Sequence, residues 1–353
     1  MTLQAWGWDD EWARLAGSIE VAVVPGRVVQ QERDRWSVQT ASGQADARLV
    51  TGARVAPYPA VGDWVLLEPG PMPADPWSLV GVLPRRSAFS RGAAYDGATE
   101  QVLAANVDTV WIVHGLDAPI NPRRLERYLA VAWESGAIPE IVLTKADLAG
   151  DLEADLARVR SIAPGVEVRV VSTEDRARLD ALHGTLQPGR TVALLGPSGV
   201  GKSTLINQLA EAELAATGTV REGDRKGRHT TTRRHLFQLP GGALLMDTPG
   251  LRELRVWELD EGLAHAFAEI DELASQCRFR DCRHESEPGC AVLEAVAQGT
   301  IDPDRLASFR KLQAEAAWQE RKTNPRARAA FESQTKSMFK TLYKHHPKYR
   351  DET

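Results

Sequence analysis

Cysteine is scarce in this chain: three residues in 353, all between positions 277 and 290. An odd number of cysteines confined to one segment argues against the disulfide framework of small secreted proteins. Long hydrophobic runs are missing too, since no apolar stretch approaches the ~20 residues that a membrane helix needs. The first ten residues have neither the basic start nor the apolar core of a signal peptide. We therefore expect a cytoplasmic protein without a membrane segment.

Positive charge is not in excess, because 48 Asp and Glu outnumber 43 Lys and Arg and the net charge is −5. This balance argues against a uniformly basic nucleic-acid binder. Between 310 and 350, however, the chain has eleven Lys and Arg but only three acidic residues, which gives that segment a charge of +8. An acidic body with a basic arm indicates a local contact with a polyanion, and a solvated surface helix is the alternative.

The length predicts two or three folding units. Up to about residue 95 the chain holds short β-like runs separated by Gly, Pro and Asp, which predicts a small antiparallel barrel of the oligonucleotide-binding kind. The runs are 19–24, 35–40, 47–50, 63–67 and 77–82. Six of the ten Trp lie in this region, and we expect most of them to pack in the core rather than to stack on bases.

From about 100 to 257 strand and helix patterns alternate, which predicts a mostly parallel sheet covered by helices on both faces. The predicted strands are 107–113, 138–143, 166–171, 191–195 and 244–246. Asn121 followed by Pro122 predicts a helix that continues to Ser135, because Asn is a preferred cap and Pro fits the first helical position. After 260 the pattern is helical and polar, with one Cys-rich interruption.

A phosphate-binding motif, G-x-x-x-x-G-K-[ST], directly follows the predicted strand 191–195. Its residues are Gly196, Pro197, Ser198, Gly199, Val200, Gly201, Lys202, Ser203 and Thr204. The glycines allow successive N–H groups to point at phosphate oxygens, and the positive end of the following helix adds to this. We expect Lys202 to reach the β- and γ-phosphates and Ser203 to ligate Mg²⁺. The loop alone does not identify the base.

Two further segments match the magnesium and switch elements of GTPases. After an apolar run the chain reads D-x-x-G, in which we expect Asp247 to hold the magnesium water shell and the Gly250 N–H to sense the γ-phosphate. Alone, this tetrapeptide would be an ordinary turn. Residues 227–232 read G-R-H-T-T-T, and we assign Thr231 of this loop to the magnesium sphere while the γ-phosphate is present.

A base-reading element, [NT]-K-x-D at a strand end, is matched by Thr144, Lys145, Ala146 and Asp147. In a desolvated pocket the carboxylate would accept from guanine N1–H and N2–H₂ while the Lys stem covers the ring. Adenine has no matching donor pair, so we predict selectivity for GTP over ATP. Ser172 and Thr173, after the strand 166–171, are candidates for a weaker additional base contact.

The order of these elements is unusual, because the base-reading segments precede the phosphate loop in the chain. The same sheet is retained if the original ends are joined and new ends are opened elsewhere, which is a circular permutation. Asp247 then ends the domain, so a nucleotide-dependent switch would lead directly into the C-terminal module.

The cysteines form a compact pattern with one histidine, C-x4-C-x-H-x5-C, over fourteen residues. Its members are Cys277, Cys282, His284 and Cys290. A Cys₃His set has the number and type of ligands that tetrahedral zinc requires, and four protein ligands leave no open position for water. We therefore predict one structural Zn²⁺ without a catalytic role; chance clustering is the alternative.

The permuted order and the motifs G-P-S-G-V-G-K-S-T, G-R-H-T-T-T, D-T-P-G, T-K-A-D and C-x4-C-x-H-x5-C resemble the ribosome small-subunit-dependent GTPase A family of bacteria. The resemblance covers nearly the whole chain, including residues 100–108, which look like the opening strand of that family's GTPase domain. It implies three domains, which we place at 1–95 (oligonucleotide-binding barrel with an N-terminal tail), 96–258 (circularly permuted GTPase) and 259–353 (helical zinc domain with a basic extension).

The resemblance also implies a function: late maturation of the small ribosomal subunit, with GTP hydrolysis to GDP stimulated by the subunit and used for release. The implied partners are the small subunit and its rRNA, and we expect a monomer. Thr144 stands where many members have Asn, a change seen within the family that leaves Asp147 as the main guanine reader.

The motifs do not identify the residue that orients the attacking water. Ras-type enzymes use a Gln directly after D-x-x-G, and Leu251 occupies that position here. We name His229 as the catalytic candidate, together with Lys202 and Thr231, because it is the nearest polar side chain by sequence. Ordering of the loop by the ribosome, without direct chemistry by His229, is the alternative.

Two other functions compete with this interpretation. A P-loop nucleotide kinase or transporter ATPase would have an acceptor-base domain or an L-S-G-G-Q signature, neither of which we find, and would leave residues 144–147 unexplained. An RNA-binding zinc protein with a degenerate nucleotide fold is disfavoured by the intact Lys202, Ser203 and Asp247.

Overall fold

A computed structural model describes residues 2–17, 23–49, 55, 57–70, 72, 75–91, 101–172, 174–212, 234–247, 260–323 and 329. By its contacts the chain divides into two units, one with the described residues up to 247 and one with those from 260 onward. The three-domain division with boundaries at 95 and 258 stays a prediction. Within the described residues, no helix has both the length and the apolar character needed to span a bilayer.

Five strands at the start of the first unit form a closed barrel. They are β1 Val24–Glu32, β2 Arg35–Thr40, β3 Gly43–Leu49, β4 Trp64–Glu68 and β5 Trp77–Val82. β1 pairs antiparallel with both β2 and β4, β2 pairs with β3, and β5 closes the ring between β3 and β4. This five-stranded ring confirms the predicted oligonucleotide-binding type of barrel.

The prediction for the first barrel strand was wrong. The sequence pattern placed it at 19–24, but β1 begins at Val24 and continues to Glu32, and 19–22 lie outside the described residues. Pro25 and Gly26, which suggested a break, lie inside β1. Pro25 precedes the first pair with β2, which joins Gly26 to Thr40, so its missing N–H removes no bond from that ladder.

The N-terminal tail packs on the barrel through aromatic side chains. It contains a 3-10 helix, Leu3–Trp6, and helix α1, Asp10–Gly17. The rings of Trp8 and Trp12 lie 4.7 and 6.2 Å from the ring of Trp64 in β4. Trp12, Trp36 and Trp64 are at most 2% exposed, so these three belong to the core as expected and are not available for base stacking.

The second part of the first unit is a parallel sheet with one antiparallel strand. Its strands are β8 Thr109–Gly115, β9 Ile138–Thr144, β10 Glu167–Val170, β11 Thr191–Leu195, β12 Arg234–Gln238 and β13 Leu244–Asp247. The spatial order is β10-β9-β8-β11-β13-β12, with β12 antiparallel to β13. The predicted strands are confirmed with shifts of up to two residues, whereas β12 was not predicted.

Helices cover both faces of this sheet, as the alternating pattern predicted. On one face, α2 Pro122–Glu134 and α3 Leu152–Ile162 enclose a small space lined by Ile112 and Leu143 of the strands. On the other face, α4 Arg176–His183 and α5 Lys202–Ala210 share a core with Trp111, Val113 and Leu194. The Asn121 side chain accepts from the Arg124 N–H, which confirms the predicted cap of α2.

Residues 100–108 do not open this sheet, contrary to the expectation for the first strand. Instead β7 Gln101–Ala105 pairs antiparallel with β6 Ala88–Arg91 in a separate two-stranded sheet. The barrel is joined to the large sheet elsewhere, where Gln30 and Gln31 of β1 pair with His235 and Arg234 of β12. The strands of the barrel and of the large sheet therefore belong to one continuous hydrogen-bonded sheet.

The second unit is helical around a Cys-rich loop, as predicted. Its helices are α6 Asp260–Ala266, α7 Ala268–Ala274, α8 Ala291–Ala297 and α9 Pro303–Thr323. Phe267 and Phe309 pack edge to face at 5.4 Å in its core. Arg305 of α9 bonds to Glu269 and to the Ala266 carbonyl, which ties α9 to the first two helices.

Candidate functional site

The phosphate loop lies at the carboxyl end of β11, between β8 and β13 in the sheet. Ligands of open α/β sheets bind at this edge of the strands. Gly196, Gly199 and Gly201 have positive φ angles of 157°, 82° and 94°. At Gly196 a Cβ would lie 2.5 Å from the Val113 carbonyl oxygen of β8, so the loop can leave the sheet here only without a side chain.

Lys202 and Ser203 are at the first turn of α5, where the helix presents its positive dipole end. The Lys202 ammonium donates to the Gly196 carbonyl at 2.7 Å and to the Pro197 carbonyl, and the residue is 9% exposed. Its charge is therefore held against the phosphate loop itself. This arrangement of loop, lysine and helix end provides N–H donors and a cation for a polyphosphate.

The predicted base-reading residues contact the phosphate loop directly. The Thr144 hydroxyl donates to the Val200 carbonyl at 2.6 Å, and Lys145 Nζ donates to the Gly199 carbonyl at 2.8 Å. Lys145 itself has a left-handed backbone with φ 56°, which is uncommon for a residue with a side chain. The end of β9 and the phosphate loop therefore form one cleft, although 54 and 56 residues separate the bonded pairs.

Asp147 and Ser172 come together at the same edge. The Ser172 hydroxyl donates to the Asp147 carboxylate, and it also accepts from the Glu174 N–H at 3.1 Å. Asp147 is exposed, in contrast to the expected desolvated pocket, because residues 146–148 form a 3-10 turn beyond the buried end of β9. Ser172 is 5% exposed, so a buried hydroxyl orients an accessible carboxylate.

Several predicted site residues lie outside the described part of the chain. They are Thr173, His229, Thr231 and Gly250. For Asp247 only the backbone is described, as the last residue of β13 opposite His235. The strand β13 runs parallel to β11. Its carboxyl end, where Asp247 lies, is therefore on the phosphate-loop edge of the sheet.

The four predicted zinc ligands converge in the second unit. Their ligand atoms all lie within 4.8 Å of one another. The Cys277 and Cys290 sulfurs are 3.8 Å apart, and His284 Nδ1 is 3.6 Å from Cys277 Sγ and 3.3 Å from Cys290 Sγ. Tetrahedral zinc with its usual bond lengths would separate two sulfurs by about 3.8 Å and a sulfur from a nitrogen by about 3.5 Å. The side chains present therefore fit Zn²⁺.

The state of His284 also suits a metal ligand. Burial lowers the pKa of His284, the charge of Arg310 acts in the same direction, and Glu287 opposes both. A neutral imidazole, which a metal requires, is thereby favoured at neutral pH. His284 has a left-handed backbone with φ 57°, an unfavourable conformation that fits a residue held in place by a site.

Known proteins with a similar sequence share one family description. Residues 82–257 match the family described as RsgA GTPase. A protein of Opitutus terrae named "Small ribosomal subunit biogenesis GTPase RsgA" is 47% identical over 340 residues, which are 92% of this chain and 92% of that protein. The chain belongs to the RsgA GTPase family.

Two solved structures agree with this membership of the RsgA GTPase family at the level of the fold. YjeQ from Thermotoga maritima superposes with a TM-score of 0.62 at 25% identity and covers 83% of this chain and 98% of its own. YloQ, described as a circularly permuted GTPase, gives 0.60 at 23% identity with coverages of 83% and 94%. As a member of the RsgA GTPase family, the protein is a GTP hydrolase with GTP as substrate and GDP as product.

One polar residue of this GTPase's cleft was not predicted from the sequence. Asp117, two residues beyond β8, accepts from Lys145 Nζ at 2.6 Å. No recognised motif includes it. Its place after the carboxyl end of β8, the strand between β9 and β11, was a signal that could have identified it, because such ends surround the ligand in α/β sheets.

Proposed function

We propose that this RsgA GTPase acts in the biogenesis of the small ribosomal subunit, that the subunit stimulates its GTP hydrolysis, and that hydrolysis drives release. The role in subunit biogenesis is supported by the names of relatives such as the 47% identical protein of Opitutus terrae. The observation that best supports GTP binding is that Thr144 and Lys145 donate hydrogen bonds to carbonyls of the phosphate loop.

Within this proposal each part of the cleft has a role. The loop Gly196–Thr204 cradles the phosphates, and Lys202 neutralises charge that develops on them during hydrolysis. The guanine is surrounded by Lys145, Ala146, Asp147 and Ser172. The residues that would hold Mg²⁺ are Ser203, Asp247 and Thr231, and the ion would neutralise negative charge on the phosphates. His229 is the candidate for orienting water, and Thr173 is a further candidate for base contact.

The partner side of the proposal rests on charge and on the barrel. The closed five-stranded barrel is a common oligonucleotide-binding architecture, and the segment 310–350 carries a charge of +8. We propose that ribosomal RNA contacts these regions and the Cys₃His module, in which Zn²⁺ would be structural. Because binding free energies are reciprocal, a subunit that prefers the GTP form to the GDP form must in turn raise the affinity for GTP relative to that for GDP.

Turnover measurements test the function most directly. GTP hydrolysis is measured for the full chain alone and with purified small subunits, large subunits or bare rRNA. We expect a large acceleration with small subunits only. Equal rates with small and large subunits would contradict the proposed partner, and hydrolysis of ATP as fast as GTP would contradict the proposed base recognition.

Coupling to the nucleotide is tested by co-sedimentation with small subunits in GDP and in a non-hydrolysable GTP analogue over a range of salt. We expect tighter binding with the analogue, and a Thr231→Ala variant should bind GTP but respond weakly to the subunit. Removal of 325–353 should weaken association and flatten its salt dependence while nucleotide binding persists. Equal sedimentation in both nucleotides at every salt would show that the switch and the subunit are not coupled.

A further inference from the structure

An acidic side chain lies beside the base-reading lysine without belonging to a nucleotide-binding motif. Lys145 Nζ donates to Asp117 Oδ2 at 2.6 Å and to the Gly199 carbonyl at 2.8 Å. The lysine head is therefore held between the loop after β8 and the phosphate loop. Charge-assisted hydrogen bonds of this kind are short and stronger than neutral ones.

The backbone around Asp117 is shaped for this contact. β8 ends at Gly115, where a Cβ would lie 2.5 Å from Asp117 Oδ1 and 3.5 Å from Lys145 Cδ. The Leu116 N–H donates to the Thr144 carbonyl at 2.9 Å, which fixes the two strand ends next to each other. A residue without a side chain at 115 thus leaves the space in which the carboxylate and the lysine stem meet.

Lys145 needs such a partner because its side chain is long and flexible. A lysine carries a compact charge on four rotatable carbons, and an accessible ammonium samples many positions in water. The left-handed backbone at Lys145 directs the start of the stem, but it does not fix the head. Two acceptors on opposite elements, Asp117 and Gly199, fix the head and so restrict the stem between them.

We propose that Asp117 is a positioning residue for the guanine: it holds the Lys145 stem in the orientation that covers the ring. This inference rests on the proposed base-reading role of Lys145. Asp117 acts through Lys145 and does not read the donor groups of the base, which belong to Asp147. It therefore contributes to affinity for every purine that Lys145 covers, and not to the choice between guanine and hypoxanthine.

The size of the effect follows from exposure. The side chains of Lys145 and Asp117 are 29% and 40% exposed, so solvent screens the pair. We expect Asp117→Ala to weaken GDP binding about two- to fivefold, in the range of partly exposed ion pairs. The factor should be the same for IDP, which lacks the guanine amino group. The KM for GTP should rise by a similar factor while kcat stays unchanged, since the contact is equal in ground and transition states.

A double-mutant cycle tests whether the effect passes through Lys145. Affinities for GDP and IDP are measured by calorimetry for the full-length wild type, Asp117→Ala, Lys145→Ala and the double variant. We expect Asp117→Ala to have no further effect in the Lys145→Ala background. Asp117→Asn, which keeps an acceptor of the same shape, and Asp117→Glu should restore part of the affinity. Asp180→Ala removes an exposed carboxylate paired with Arg176 on α4 and is the matched control.

The outcomes separate this inference from the proposed function. A wild type that binds ADP as tightly as GDP would overturn the base-reading role and the inference with it. A guanine-selective wild type whose affinity is unaltered in Asp117→Ala and Asp117→Asn would overturn the inference alone. Additive losses in the double variant, or unequal factors for GDP and IDP, would show that Asp117 contacts the nucleotide directly and would also overturn it.

Discussion

The nucleotide cleft and the cysteine cluster are built in opposite ways. The four cysteine-cluster ligands lie within fourteen residues of sequence, and their side-chain atoms converge within 4.8 Å. In the cleft, the bonds that join Thr144, Lys145, Asp117 and the phosphate loop connect residues 28 to 56 positions apart. One site therefore depends on local spacing and the other on the order of strands in a sheet.

The two sites should also differ in what stabilises them. Between the end of α7 at Ala274 and the start of α8 at Ala291 the loop consists of turns, and most of its side chains are exposed. A loop without apolar burial needs another source of stability, and a bound metal ion would supply it. The cleft instead rests on the buried strands β8, β9 and β11, so its geometry follows from the hydrophobic core.

Removal of a predicted zinc ligand should have the largest effect. We expect Cys282→Ala to lose the metal and to unfold the second unit, because structural zinc contributes on the order of 10 kcal/mol to small zinc modules. GDP affinity should be nearly unchanged, since the cleft lies in the first unit. Metal analysis, far-UV circular dichroism and calorimetry with GDP measure the three effects.

The control for this variant is Ser286→Ala, an exposed residue of the same loop that is not a ligand. It should keep one equivalent of zinc and its helical signal. If wild-type protein purified without chelators contains no zinc, the cysteine cluster is not a zinc site, and its stability must come from another source.

Replacement of the base-reading carboxylate should have the next largest effect. We expect Asp147→Asn to reduce GTP affinity by a factor of about 10² to 10⁴ and to favour xanthosine triphosphate, because the amide donates where xanthine offers an oxygen. The Asn oxygen can still accept from Ser172, so the fold should remain. Competition binding with GTP, xanthosine triphosphate and ATP measures the change in preference.

Asp151→Asn is the matched control, since Asp151 caps α3 by accepting from the Ala154 N–H and Asn caps a helix equally well. Its nucleotide preference should equal that of the wild type. Unaltered GTP affinity in Asp147→Asn would show that Asp147 does not bind the guanine.

Loss of a buried arginine between barrel and sheet should have the smallest of these effects. Arg27 is 2% exposed, and its guanidinium donates to the carbonyls of Trp6, Gly62 and Asn106 and to the Thr191 hydroxyl. Burial lowers its pKa to about 10, which leaves it charged at neutral pH. We expect Arg27→Ala to lower the free energy of unfolding by about 3 kcal/mol, because buried carbonyls lose their donors.

Urea unfolding followed by Trp fluorescence measures this loss, with Arg178→Ala as the control at an exposed, ion-paired position. The control should change stability by less than about 0.5 kcal/mol. If Arg27→Ala is as stable as the control, the long-range bond from Arg27 to Thr191, across 164 positions, does not contribute to the junction.

Much of the local structure could be predicted from residue patterns. Asn121 and Pro122 predicted the start of α2, and the motif after 191–195 predicted the turn into α5. The prediction ended the first strand before Pro25 and Gly26, but both residues lie inside β1. Proline is tolerated there because pairing with β2 begins only at Gly26, so Pro25 has no partner in β2. β12 was missed, since residues 234–238, which read R-H-L-F-Q, do not alternate between apolar and polar side chains.

By itself the sequence determined the Cys₃His set, the phosphate-loop motif and the permuted order of the motifs, because each is a property of residues that are consecutive or nearly so. The tertiary structure alone decided that Asp117 meets Lys145, that Ser172 orients Asp147 and that Arg27 joins barrel to sheet. These contacts span 25 to 164 residues. Such distances close only when strands take their places in a sheet, and the strand order depends on how the whole hydrophobic core packs.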